Sequence, residues 1–143
     1  MRVSTKGRYA LRLMIELAKQ PHTYISLREI SEKQQISQKY LEQIIMLLTR
    51  AKLVRSIRGP QGGYTLAMDA QLITAGMILR VTEGSLAPVA CVEQGCEACV
   101  RSGNCETRSL WKRLHESIDE IVDSVTLQDL LHETHEAQPG MWL

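Results

Sequence analysis

The strongest constraint on the fold is a pair of short helix patterns in tandem, each begun by a serine. Ser26 precedes a helix predicted over about 27–35, and Ser26 and Glu29 have the Ser-x-x-Glu spacing of a capping box. Ser37 precedes a second helix, predicted over about 38–51, whose apolar residues recur at helical spacing. Two short helices joined this closely, the second with a polar outer face, predict a helix-turn-helix.

A basic hairpin is predicted directly after these helices. Two β-prone runs, 53–57 and 64–67, flank the segment 58–63, which contains three glycines and one proline. Arg55 and Arg58 lie in and beside this turn. A plain surface hairpin would explain the turn but not the cations, so we interpret the hairpin as a DNA-binding wing.

The second half of the chain is dominated by one long amphipathic helix, predicted from a Thr107 cap to about Ser124. Its apolar stripe needs a partner, either a second copy of the chain or helices of its own chain. We expect a homodimer, because two-fold DNA readers commonly pair half-sites in this way. The expected fold class is mainly α with a small β-hairpin wing: a winged helix-turn-helix plus a long C-terminal dimerisation helix.

Four parts of the chain are predicted. They are a DNA-binding domain (1–84, with further helices over about 6–19 and 73–81), a cysteine-rich loop (85–106), a dimerisation helix (107–135) and a flexible tail (136–143).

Charge is distributed unevenly along the chain. Residues 1–70 contain 12 Lys/Arg and 5 Asp/Glu, whereas residues 71–143 contain 5 and 11. A basic first half is typical of a polyanion-binding surface, although scattered solvated charge is the alternative. Uncharged runs reach only about ten residues, half of what a membrane-spanning helix needs, and charges interrupt the N-terminal segment. We therefore expect a cytoplasmic protein with reduced thiols.

All four cysteines lie in one short segment, with the spacing Cys91-x4-Cys96-x2-Cys99-x5-Cys105. Four thiols so close together in a reduced protein indicate a metal site rather than a disulfide framework. An iron–sulfur cluster, a four-cysteine zinc site, a thiol switch and inert cysteines all remain open. The C-x-x-C pair lacks the βαβ setting of a thioredoxin-like enzyme, and no catalytic triad, phosphate loop or paired acid indicates an enzyme of another class.

Several motifs in one order resemble the Rrf2 family of transcriptional regulators. They are Met1–Ala10, Ser37–Gln43, Val54–Tyr64, Ile73–Gly76, Glu83–Gly84, Leu110–Trp111 and Ser124–Leu130. The resemblance covers nearly the whole chain. It implies that the helix after Ser37 enters the major groove of a pseudo-palindromic operator and that the wing reaches the adjacent minor groove.

The resemblance also implies which residues contact DNA. Gln38, Lys39 and Tyr40 would contact bases or phosphate, and Glu42 would accept from cytosine N4, its alternative role being an ion pair with Lys39. Arg58 matches the minor-groove arginine of the family. The remaining expected contacts, mostly to phosphate, are Arg2, Lys6, Arg8 and Arg55.

In the family, cluster-sensing members carry three cysteines in this segment, which implies an iron–sulfur cluster (2Fe–2S or 4Fe–4S) here. Cys99 and Cys105 match the spacing of the last two, Cys91 aligns with the first at a longer distance than in the family, and Cys96 is extra. The histidine and the acidic residue that supply a fourth ligand in different members fall on Arg108 and Arg8, neither of which is a plausible ligand. Our hypothesis is that Cys96 completes the site.

Two functions follow from the resemblance. The first is a repressor whose operator binding is controlled by the cluster, for redox or nitric-oxide sensing. The second is a cluster-free regulator of cysteine metabolism that responds to a partner enzyme, cysteine synthase. In that case the C-terminal residues Met141, Trp142 and Leu143 would be the segment inserted into the enzyme.

Overall fold

A computed structural model describes residues 2–93 and 104–136. Two of the predicted cysteine ligands, Cys96 and Cys99, and the C-terminal residues 137–143 lie outside these ranges, as does Met1. The elements of the described residues are α1 (Thr5–Lys19), α2 (Leu27–Gln34), α3 (Gln38–Arg50), β1 (Val54–Ile57), β2 (Gly63–Leu66), α4 (Ala75–Glu83), a 3₁₀ turn (Ala90–Val92), α5 (Arg108–Ser124) and α6 (Leu127–Glu136).

Serine caps begin the first three helices. The Ser4, Ser26 and Ser37 hydroxyls each accept a hydrogen bond from the backbone N–H three residues later, at 3.1–3.2 Å. These bonds satisfy donors that a helix start leaves unpaired. The prediction that the Glu29 side chain bonds back to the backbone N–H of Ser26 is wrong. The Glu29 carboxylate instead pairs with Lys33, one turn further along α2, at 2.9 Å.

Helix α1 is the centre of the core, and α3, α4 and α6 all pack against it. The fully buried large side chains are Leu13, Met14, Leu17, Ile30, Leu41, Ile44, Leu48, Ile73, Ile78 and Leu127. Because α3 turns its apolar stripe into this core, its polar face is left at the surface.

The hairpin forms as predicted. Strands β1 and β2 are antiparallel, with Val54 opposite Leu66 and Ile57 opposite Gly63. Ile25 forms an antiparallel β-bridge to the outer side of β2, since its N–H and C=O both hydrogen-bond the backbone of Tyr64, at 2.9 and 2.8 Å. A Cβ at position 63 would lie 2.5 Å from the Ile25 oxygen, so this close approach requires glycine.

The predicted end of the long helix near Ser124 is confirmed, but the range 107–135, assigned to one dimerisation helix, contains a second helix. The helical conformation is interrupted at Val125 and Thr126. There the backbone N–H of Thr126 donates to the Asp129 carboxylate at 2.9 Å, and the backbone N–H of Asp129 donates to the Thr126 hydroxyl at 3.1 Å. This reciprocal cap starts α6, whose Leu127 is completely buried. Helix α6 therefore belongs to the core formed around α1 rather than extending α5.

Helix α5 lies largely outside the core. None of its residues is fully buried, and Leu110 and Ile121 are 53% and 64% exposed. It is attached to α4 by Arg80, which binds both Asp119 (2.8 Å) and Asp123. Thr107 is the N-cap residue of α5, as predicted, but its side chain makes no capping hydrogen bond.

Candidate nucleic-acid interface and cysteine segment

Helix α3 presents a polar face opposite its buried stripe. Gln38, Lys39 and Glu42 are all exposed, and among the described residues Glu42 forms no ion pair with Lys39 or another cation. A carboxylate without a cation beside it is available to accept a hydrogen bond from cytosine. These three side chains are therefore free of intramolecular partners in the described part of the chain.

Tyr40 differs from its neighbours on α3 because its ring is half-buried. Its ring packs edge-on against the Tyr9 ring of α1, with centroids 5.6 Å apart and planes at 89°. Its backbone N–H is held by the Ser37 cap. A DNA contact from Tyr40 therefore has to come from the phenol end of a side chain whose ring is fixed.

The two wing arginines lie in different surroundings. Arg58 is exposed at the hairpin tip, just beyond β1. Arg55 is also exposed but lines a cleft with His22, Asp69 and the α6 residue Gln128. The tip position of Arg58 suits a residue that reaches into a groove, whereas Arg55 sits at the side of the wing.

The backbone that carries the N-terminal cations is anchored at the start of α1. Glu83, at the end of α4, accepts hydrogen bonds from both the backbone N–H (3.1 Å) and the hydroxyl of Ser4. This anchor holds Arg2, Lys6 and Arg8 on either side of the Ser4 cap. Lys6 is half-buried, Arg2 and Arg8 are exposed, and the Arg8 guanidinium reaches back to the Thr5 hydroxyl at 3.3 Å.

One cation near this surface was missed by sequence reasoning. Arg12 of α1 is exposed, yet it hydrogen-bonds Gln34 at the end of α2 and lies over the Tyr9 ring. The spacing of Tyr9 and Arg12, one helical turn apart, was a visible signal. The contact across to Gln34 could be found only from the fold.

The described part of the cysteine segment consists of its two ends. Cys91 lies in the 3₁₀ turn, which contacts α5, and Cys105 lies just before α5, with its Sγ 3.4 Å from the Thr107 hydroxyl. Both thiols are partly exposed. The described residues alone bring no three potential metal ligands together.

The donor chemistry fits an iron–sulfur cluster, because cysteine thiolates are its usual ligands. Cys91 and Cys105 place two such donors at the ends of the segment, with both ends against or next to α5. The Arg108 side chain, at the position of the family histidine, is exposed at the start of that helix.

Helix α5, which follows the cysteine segment, packs against α4 and is held there by Arg80. The hydrogen bonds from Arg80 hold the pKa of Asp123 below its ordinary value, because they stabilise the carboxylate form. Gly76 allows this approach, since a Cβ there would lie 2.1 Å from the Asp123 carboxylate.

In residues 2–93 and 104–136, no helix is both long and apolar enough to cross a membrane.

Comparison with known proteins agrees with this architecture. Residues 3–133 match the Rrf2 family model, which is described as an iron-dependent transcriptional regulator. The chain is 44% identical over 135 residues to the HTH-type transcriptional regulator CymR of Bacillus subtilis, covering 94% of this chain and 92% of CymR. The structure of CymR, described as the global cysteine regulator of B. subtilis, superposes with a TM-score of 0.80 over 93% of this chain and 98% of that one.

Two proteins named IscR are similarly related. The HTH-type transcriptional regulator IscR of Yersinia pseudotuberculosis is 38% identical, covering 92% of this chain and 80% of its own length. The T. potens IscR structure is 40% identical, with a TM-score of 0.75 over 100% of this chain and 97% of that one. These relatives are named as regulators, not enzymes. The chain therefore belongs to the Rrf2 family of DNA-binding transcriptional regulators.

Proposed function

We propose that this protein binds a pseudo-palindromic operator as a homodimer, with α3 in the major groove and the hairpin tip in the minor groove. The supporting observations are the exposed polar face of α3 and the exposed Arg58 at the hairpin tip. Gln38, Lys39 and Glu42 read or position the operator, and Arg2, Lys6 and Arg8 neutralise phosphates.

Dimerisation is assigned to the apolar stripe of α5. Leu110 and Ile121 are exposed in the protomer, and no residue of this 17-residue helix is fully buried. A helix with an uncovered apolar stripe gains stability by pairing with a second copy. Sedimentation of wild type and Ile121→Glu tests this assignment: we expect a dimer and a monomer, respectively. Leu72→Glu, at an equally exposed site before α4, is the control and stays dimeric.

Control of operator binding is assigned to an iron–sulfur cluster held by Cys91, Cys96, Cys99 and Cys105. The observation that carries this proposal is the four-thiol spacing, with both described ends at α5. A bound cluster would supply a group that oxidants or nitric oxide can alter. The chain's own part is to couple the segment to the DNA-binding half, through α5 and the ion pairs of Arg80.

The experiment is purification without oxygen, followed by a visible spectrum and assays of iron, sulfide and zinc on one sample. We expect a brown protein with matched iron and sulfide, and loss of both in Cys91→Ser, Cys99→Ser or Cys105→Ser. His132→Ala, which removes an exposed imidazole on α6, leaves the iron content unchanged. A colourless protein with stoichiometric zinc, or one that resists reconstitution, would refute the cluster. Normal cluster content in Cys96→Ser would exclude Cys96 as a ligand and leave the other three cysteines assigned.

A cluster-free regulator of cysteine metabolism is the second candidate, favoured by the 44% identity to CymR and the TM-score of 0.80. In this proposal the protein is controlled by cysteine synthase, which would bind the segment Met141–Leu143. The test is binding of cysteine synthase to the full chain and to a chain lacking residues 139–143. Equal affinity of the two chains would refute the role of this segment.

A further inference from the structure

The geometry points to Arg12 as a positioning residue for the recognition helix α3, acting through Tyr9 and Gln34 rather than by binding a phosphate. This inference rests on the proposed function of α3 in reading the operator. Nothing in the sequence motifs assigned Arg12 a role, and it lies on α1, outside the helix-turn-helix itself.

Arg12 connects α1 to the end of α2 through two donors of its guanidinium. Its Nε donates to the Gln34 side-chain oxygen at 2.8 Å, and its Nη2 donates to the Gln34 backbone oxygen. The next residue, Gln35, is the left-handed cap of α2, with φ 55°. Arg12 therefore clamps the chain where it turns from α2 towards α3.

The guanidinium also reaches α3 through an aromatic pair. Its central carbon lies 5.3 Å from the centroid of the Tyr9 ring, a cation–π distance. Tyr9 in turn packs edge-on against Tyr40, in the first turn of α3. Because the first turn of a recognition helix carries base-contacting side chains, a shift of Tyr40 would misplace Gln38 and Lys39 as well.

The far side of Gln34 is fixed by a buried charge. Its amide nitrogen donates to Glu16, which is only 4% exposed and pairs with Lys19 at 2.8 Å. Burial raises the pKa of Glu16, but the hydrogen bonds from Lys19 and Gln34 outweigh it and hold the pKa below its ordinary value. A carboxylate that stays ionised keeps the Gln34 amide oriented with its oxygen towards Arg12.

The alternative is that exposed Arg12 is one more phosphate contact, and the two roles differ in their salt dependence. Each phosphate contact adds about 0.9 to the slope of log K against log salt concentration. A positioning residue leaves this slope unchanged but lowers affinity for the specific site. Lysine would replace a phosphate-binding charge, but it lacks the planar fork that binds Gln34 and stacks on Tyr9.

The experiment uses the full chain and two probes: a duplex enriched by the wild-type protein from a random-sequence pool, and a scrambled duplex of the same composition. Affinities are measured over a series of salt concentrations. We expect Arg12→Gln to lower affinity for the enriched duplex about tenfold, comparable to losing a charged hydrogen bond. The salt slope and the affinity for the scrambled duplex stay at wild-type values.

Three further variants sharpen the test. Arg12→Lys fails to restore affinity, and Gln34→Ala reproduces the loss, with the Arg12→Gln/Gln34→Ala double variant losing no more than either single one. Tyr9→Leu, which keeps every charge, also weakens only specific binding. Arg8→Gln is the phosphate control: it lowers the slope by about 0.9 and weakens binding to both duplexes.

A lower salt slope in Arg12→Gln, or full rescue by Arg12→Lys, would overturn the inference in favour of a phosphate contact. Wild-type specific affinity in Tyr9→Leu would also overturn it, even if Arg12→Gln failed to fold. Failure of the proposed function has a different signature, namely that Gln38→Ala and Lys39→Ala leave affinity for the enriched duplex unchanged.

Discussion

Leu127→Ala tests the packing of α6 onto the DNA-binding half. Leu127 is the first residue of α6, its side chain is completely buried, and its backbone N–H bonds the Ile73 oxygen at 2.9 Å. Truncation removes three carbon atoms from a closed core, which costs about 0.8 kcal/mol for each buried methylene-sized group plus a cavity term. We expect the free energy of unfolding to fall by about 3 kcal/mol.

The assay is thermal and urea unfolding followed by circular dichroism, at several protein concentrations. A loss of about 3 kcal/mol corresponds to a fall in Tm of roughly 6–12 °C for a chain of this size. Leu72→Ala, which truncates a leucine that is 64% exposed, is the matched control and changes stability by less than about 0.5 kcal/mol. A Leu127→Ala loss no larger than that of the control would refute the placement of α6 in the core.

The remaining predictions concern the wing, the α4–α5 junction and acid stability. Gly63→Ala would place a Cβ 2.5 Å from the Ile25 oxygen and so break the Ile25–Tyr64 hydrogen bonds. We expect the free energy of operator binding to fall by more than the free energy of unfolding, as measured by binding and melting curves of one sample; an equal loss in the two free energies would contradict this. Arg58→Ala weakens operator binding and lowers the salt slope by about 0.9, and an unchanged slope argues against a phosphate or groove contact. Because Arg80 lowers the pKa of Asp123, their interaction stabilises the fold above the unfolded-state pKa and this stabilisation is lost as pH falls through the lower folded-state value. Acid titration of Arg80→Met should therefore converge with that of the wild type at low pH and differ at neutral pH; a constant difference would count against the pair.

Local signals in the sequence were enough to predict most of the DNA-binding half. Serine hydroxyls at 26 and 37 cap helices because that bond forms within four residues and needs no tertiary context. The hairpin was equally local, because glycines and a proline define its tip. Glu29 was predicted wrongly, since an exposed carboxylate can bond either its own cap or a lysine one turn away, and here it pairs with Lys33.

The errors lie where distant segments decide the structure. The sequence placed the end of α5 near Ser124 but did not predict α6, which starts at the Thr126–Asp129 cap and packs against α1. Leu127 is buried there, and its backbone N–H bonds the Ile73 oxygen. Similarly, α4 starts at Ala75 rather than Ile73, because Thr74 is its N-cap and accepts a hydrogen bond from the Met77 N–H at 3.1 Å. The Ala75 N–H bonds the distant Val125 oxygen at 2.8 Å. The Arg12–Gln34 contact spans 22 residues and could not be found from spacing alone.

The most direct test of the central claim is the operator affinity of one protein preparation, measured without oxygen with its iron–sulfur cluster reconstituted and again after iron removal. Both measurements use the enriched duplex at one fixed salt concentration, with the scrambled duplex as reference. Cluster control predicts that the two affinities differ by about fivefold or more, the usual lower range for coupling between two sites. Equal affinities, with the cluster shown to be present in one sample and absent from the other, would contradict it.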